Sequence, residues 1–89
     1  MLLHLGKDVM VRAKDVIFII DYDYMKNNKT NKKFLENAIN KKNIKDLSNC
    51  IPKSLVIVRK DNQNIVYLSS ISSITLCKRA NLNKVIFEK

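Results

Sequence analysis

The sequence predicts a small α+β domain, a mainly antiparallel sheet carrying two short helices. Three observations lead there. Runs rich in Val, Ile and Phe, at 16–20 and 55–58, are separated by polar, turn-like stretches, which is how strands read. Around residues 32–42 and 73–80 the apolar spacing lengthens to the three or four residues of a helix. Runs of strands followed by single helices favour α+β over a regular βαβ alternation. The 89 residues, 46% of them apolar and with one Gly and one Pro, make one domain over 1–89, with no room for a second core.

Taken in order, Leu2–Leu5 and Val9–Val11 are short strands around the turn residues Gly6-Lys7-Asp8. Val16–Ile20 is the most strand-like run. Its five consecutive apolar residues put apolar groups on both faces, because successive side chains alternate, and such a strand needs cover on both sides. In so short a chain, one cover is expected from another subunit. Residues 22–31 are polar and Asn-rich and read as a loop. From Lys32 to Lys42, Phe34, Leu35, Ala38 and Ile39 fall on one helical face, with Thr30 or Asn31 as the cap. Residues 43–52 read as a second loop, ending at Pro52. Leu55–Val58 and Asn64–Leu68 form a hairpin through a polar turn, Arg59 to Gln63, longer than the two-residue type. The serine-rich stretch 69–73 leads into a helix at 73–80, with Ile74 and Cys77 on one side together with Ala80 or Ile71, and Thr75, Lys78 and Arg79 on the other. Val85-Ile86-Phe87 adds a last short strand.

The charge is +9, from 17 Lys+Arg against 8 Asp+Glu, and it is unevenly placed. Residues 1–25 hold three basic side chains against four aspartates, whereas residues 26–45 hold seven lysines against Glu36 alone. Concentrated positive charge attracts polyanions and speeds their capture.

Catalytic groupings are missing from the sequence. The lone histidine, His4, has no sequence partner for nucleophilic catalysis. Asp21 and Asp23 read as a strand end, with no third acid nearby. Gly6, the sole glycine, builds no phosphate loop. Cys50 and Cys77 form no metal-ligand spacing and read as reduced cytoplasmic thiols. No enzyme, cofactor, metal or small-molecule substrate is expected. No run reaches the ~18 apolar residues of a membrane span, and no membrane role is expected.

Nucleic acid asks for less: cations that neutralise phosphates. The candidates are Lys32 and Lys33 on the first helix, Lys53 before the hairpin, and Lys78 and Arg79 on the second helix. Phe18, Phe34, Tyr67 and Phe87 read as core, so the aromatics for single strands are missing. Duplex DNA held through its backbone fits better.

The stretch His4-Leu5-Gly6-Lys7-Asp8-Val9-Met10-Val11-Arg12-Ala13-Lys14-Asp15-Val16 resembles the N-terminal pattern of the bacterial extracellular-matrix regulators of the RemA/RemB type. Pro52-Lys53-Ser54-Leu55-Val56 and Tyr67-Leu68-Ser69-Ser70-Ile71-Ser72-Ser73-Ile74-Thr75-Leu76-Cys77-Lys78-Arg79-Ala80 continue the resemblance, with the RemB branch the nearer. It covers roughly residues 2–25 and 50–80. The resemblance implies a cytoplasmic transcriptional regulator with a LytTR-like fold, binding double-stranded DNA as a ring-shaped homo-oligomer and controlling biofilm-matrix genes. It adds Lys14, the basic residue before the third strand, with Arg12 beside it, and it supports Lys53. The arginine pair that family members carry just upstream of that lysine is replaced by Cys50 and Ile51. The departure keeps a second reading open: an interaction module that co-assembles with a paralogous regulator and does not touch DNA.

Overall fold

The computed structural model describes residues 1–29, 32–33, 36–37, 43–49, 51–80 and 85–86. The first apolar runs make strands β1 (Leu2–Gly6) and β2 (Val9–Arg12), an antiparallel hairpin. Its turn needs unusual backbone: Gly6 has φ +140° and Lys7 φ +48°, the first within reach of glycine alone at little cost. One 3-10 turn, Ala13–Asp15, leads into β3 (Val16–Asp21).

The 22–31 stretch is not simply a loop, because Tyr22–Asn27 forms helix α1. Asp21 caps it, its Oδ1 accepting the Asp23 and Tyr24 N–H groups at 2.8 and 3.2 Å. Met25 anchors the helix at 2% exposure, with Tyr22 and Tyr24 half-buried beside it. Asp21 ends β3 as expected and at the same point caps the helix, whose first turn holds Asp23. Most of the helix expected at 32–42 lies outside the described residues, as do its cap candidates Thr30 and Asn31; Lys32, Lys33, Glu36 and Asn37 have helical backbone.

The expected 43–52 loop also contains a strand, β4 (Ile44–Asp46), which pairs parallel with β6. Asp46 ends it, its Oδ1 accepting the Ser48 N–H at 2.9 Å and the Ser48 hydroxyl at 2.6 Å. Strands β5 (Ser54–Lys60) and β6 (Gln63–Ser69) form the expected hairpin, but it is longer and tighter than the sequence indicates. Pairing runs out to Lys60 opposite Gln63, leaving only Asp61 and Asn62 in the turn, at φ +52° and +65°. Two positive φ values in a two-residue loop make a type I′ turn, whose twist matches that of the strands. The polar residues Arg59, Lys60, Gln63 and Asn64 are ladder residues on a solvated strand end.

Helix α2 (Ser73–Ala80) starts where predicted. Ser72 caps it, its hydroxyl accepting the Thr75 N–H at 3.2 Å and donating to Thr75 Oγ1 at 2.9 Å. The buried face is Ser73, Leu76 and Ala80, while Ile74 is half exposed. Of the side expected to hold Ile74 and Cys77 with Ala80 or Ile71, Ala80 is buried, Ile71 packs on the core and Cys77 is half-buried, while Ile74 is turned outward because Leu76 takes the central position. The last strand, β7 (Val85–Ile86), pairs parallel with Ile19 and Ile20.

The main sheet has the order β4-β6-β5-β3-β7. Its three central strands are antiparallel and both edge pairings are parallel, so the sheet is mixed. Every strand except β5 runs the same way, which requires crossover connections. The β1–β2 hairpin and α2 cover one face, joining Leu3, Leu5 and Leu76 to Val56, Val58 and Tyr67. On the other face Met25 packs with Ile20, Leu55, Ile57, Val66 and Leu68. Residues 54–58 of β5 are all buried, so both faces of that doubly apolar strand are covered from within one chain. In β3, Ile17 is the extra residue of a bulge between Val16 and Phe18 and is 37% exposed.

Candidate nucleic-acid interface

Lys14 sits in the middle of the 3-10 turn between β2 and β3, exposed, on backbone fixed at both sides. Ala13 is buried and donates its N–H to the Met1 carbonyl at 3.0 Å, and the Val16 N–H returns to the Ala13 carbonyl. Arg12 is nearby but already engaged: its Nε lies 2.9 Å from Asp15 Oδ2, and a second guanidinium nitrogen is 3.5 Å from Oδ1. That ion pair removes much of the local charge that Arg12 would offer a phosphate.

Lys53 is held just as firmly. Its N–H donates to the Ser69 carbonyl at 2.8 Å, and its own carbonyl accepts the Tyr22 N–H at 3.0 Å. The side chain projects from this pinned backbone into solvent. Pro52, with its fixed φ, leads the chain in.

The β3–β5 register separates these two lysines. Val16 lies opposite Val58, and Asp21 lies opposite Ser54. Lys14 therefore stands where β3 begins and Lys53 where it ends, about 17 Å apart along the strand. The two do not form a continuous patch on one chain. Beside Lys53 begins α2, tied there by the Ser54 hydroxyl, which donates to the Ile71 carbonyl at 2.7 Å. Lys78 and Arg79 are exposed in the last turn of that helix, roughly 8 Å of helical rise further on. Lys32 and Lys33 are also exposed.

Two cations escaped the sequence reading. Arg59 and Lys60 are exposed at the end of β5, the end that also carries Lys14. The run Arg59–Asn64 is polar throughout, so no apolar alternation separates its ladder residues from its turn residues. Among the described residues, the ion pairs are Arg12–Asp15 and a loose Lys26–Asp23 contact at 3.9 Å, so Lys14, Lys53, Lys60, Lys78 and Arg79 carry uncompensated charge. The loops therefore present cations at both ends of the β3–β5 pair, on backbone too constrained to collapse away from a ligand.

Other chemistry finds little support among the described residues. His4 Nε2 lies 2.7 Å from the Lys7 carbonyl oxygen, a local backbone contact on an exposed turn. Among the described residues no group of three or more metal-ligating side chains comes together, and none of their helices is long and apolar enough to cross a membrane.

None of the curated proteins matches the chain. The model of one regulatory family, described as extracellular matrix regulatory protein A-like, does match, over residues 2–80. That span takes in the β1–β2 hairpin, both pinned lysines and all of α2, so the chain belongs to the RemA-like family of extracellular matrix regulatory proteins.

Proposed function

We propose that this protein is a RemB-type transcriptional regulator that binds double-stranded DNA as a homo-oligomer, acting in the cytoplasm on extracellular-matrix genes. The observation that carries this reading is the set of exposed, uncompensated cations at the two ends of the β3–β5 pair, Lys14 with Arg59 and Lys60 at one and Lys53 at the other, with Lys78 and Arg79 further along α2. Phosphate contacts require cations that are already positioned and not neutralised by neighbours, and each contact gains from counterion release. Because the two ends are separated in one chain, continuity of charge depends on assembly. A ring of copies would repeat both clusters around its rim, and a duplex would follow that rim through many weak contacts.

Fluorescence anisotropy of a labelled AT-rich duplex, titrated at several salt concentrations, tests this. An assembly making about 6–10 phosphate contacts loses roughly 10³–10⁵ in affinity between 50 and 200 mM salt. Lys14→Glu and Lys53→Glu should each weaken binding and flatten the salt slope while light scattering shows the same oligomer. Salt-independent binding, or binding indifferent to both reversals, would refute the reading.

A second reading draws on Ile51. This side chain is 72% exposed at a position where the family pattern calls for arginine; its neighbour Cys50 lies outside the described residues. An exposed isoleucine suits a protein contact better than a phosphate. An interaction module co-assembling with a paralogous regulator would leave duplex anisotropy unchanged at all salt concentrations, and would lose its partner on Ile51→Asp.

A further inference from the structure

We propose that the groove under the open end of the β1–β2 hairpin binds a small amphipathic anion, a carboxylate or sulfonate on an aromatic or short acyl body. This inference is independent of the DNA reading. The cavity has a volume of about 300 Å³ and lies between the hairpin and the β5–β6 end of the sheet, a size at the lower bound of small-molecule sites. Its lining is mixed, with the apolar part supplied by Leu2 and Met10 from the outer face of the hairpin, Val11 from the inner, and Val58 from the sheet. Leu2 and Met10 are 60% and 52% exposed, so a ligand that covers them removes apolar surface from water.

The polar groups give the site its sign. Tyr67 lines the groove with only 7% of its surface exposed. Its hydroxyl has no hydrogen-bond partner among the described residues, yet no buried side-chain oxygen there is both sealed and unpartnered. The hydroxyl must therefore reach solvent, and the groove is the opening that Tyr67 lines. A buried phenol usually finds a partner for its O–H; here a ligand can supply it. Lys60 stands on the same wall without a counterion. Arg12 is paired with Asp15 through Nε and one terminal nitrogen, but a guanidinium has five N–H donors, which leaves some for a bound anion. With Asp15 as the single acid, the lining is net positive. An apolar body seats against Leu2, Met10, Val11 and Val58, and its anionic head meets Lys60 and the Tyr67 hydroxyl.

The probe is 8-anilinonaphthalene-1-sulfonate, titrated by fluorescence against the full chain and displaced with octanoate or octanol. The expected result is saturable binding of one probe per chain, displacement by octanoate, and at least tenfold weaker displacement by octanol. Lys60→Glu should weaken octanoate at least tenfold and Tyr67→Phe severalfold. Lys26→Glu, the same charge change on α1 at the opposite face, should stay within twofold. Circular dichroism checks that each variant is folded. Equal effects of the Lys60 and Lys26 reversals would mean undirected charge attraction and overturn the proposal. So would octanol competing as well as octanoate, an absence of saturation, or probe release as the protein concentration rises, which would assign the groove to a second copy of the chain.

Discussion

Replacing Ser69 with alanine removes one oxygen and should cost far more than its size suggests. Ser69 is 0% exposed, and its hydroxyl donates to the Leu5 carbonyl at 2.5 Å while accepting the Ile71 N–H at 3.0 Å. Leu5 is the extra residue of the β1 bulge between His4 and Gly6, where ladder pairing is interrupted. The hydroxyl thus fastens the hairpin to the main sheet and shapes the turn that launches α2. Alanine leaves a buried carbonyl and a largely buried N–H without this partner, and each such group costs about 1–3 kcal/mol. We expect a loss of about 2–4 kcal/mol, a large share of the roughly 5–13 kcal/mol typical of a domain this size. In urea, with a slope near 1 kcal/mol/M, the midpoint should fall by about 2 M or more. The neighbouring exposed Ser70 is the control, its alanine variant staying within about 0.5 kcal/mol. Midpoints for the two variants within 0.5 M of each other would show that Ser69 does not join the hairpin to the sheet.

Three further outcomes are expected. Gly6→Ala should destabilise the fold by about 1–3 kcal/mol in urea titration, because φ is +140°, a conformation that L side chains rarely adopt. Asn62→Gly should raise the melting temperature by about 2–4 °C, since the second residue of the β5–β6 turn sits at φ +65°, a conformation glycine adopts without strain. Asp21→Ala should cost about 1 kcal/mol by removing the α1 cap, and Asp21→Asn should recover most of it; equal losses for the two would count against a capping role.

What the sequence made legible was the apolar strand runs and the serine-capped helix. β1, β2, β3, β5, β6, α2 and the short β7 all lie close to where their residues place them. The misses share a cause, in that short elements carry too few apolar residues to show a period. α1 has one fully buried side chain, Met25, and β4 has one half-buried apolar residue, Ile44. Both are fixed by distant partners, Met25 by the face of β3 and β5, and β4 by the edge of β6. Parallel edge pairing is equally invisible locally, because it depends on where crossovers land. At the site, the lysines were legible as charge. What the sequence hid was geometry: the Arg12–Asp15 pairing, the separation of Lys14 from Lys53, and the solvated strand end that carries Arg59 and Lys60.

The burial of β5 changes how self-association is to be understood. Val16–Ile20 and Leu55–Val58 are both apolar on two faces, which led to the expectation that part of their cover comes from neighbouring subunits; for Leu55–Val58 the cover lies within the chain. Val56 and Val58 are covered by the hairpin and α2, and Leu55 and Ile57 by the face that holds Met25. A strand buried on both sides by its own chain does not need a partner to fold. Apart from Met1, the large apolar side chains exposed among the described residues, and so open to an assembly, are Leu2 and Met10 of the hairpin, Ile17 on the β3 bulge, Ile51, and Ile74 on α2. These are single side chains and small patches, the sort of surface that makes weak, reversible contacts. Folding and assembly are then separable, so substitutions at those five positions can dissolve an oligomer and leave the protomer, with its basic ends still in place, intact.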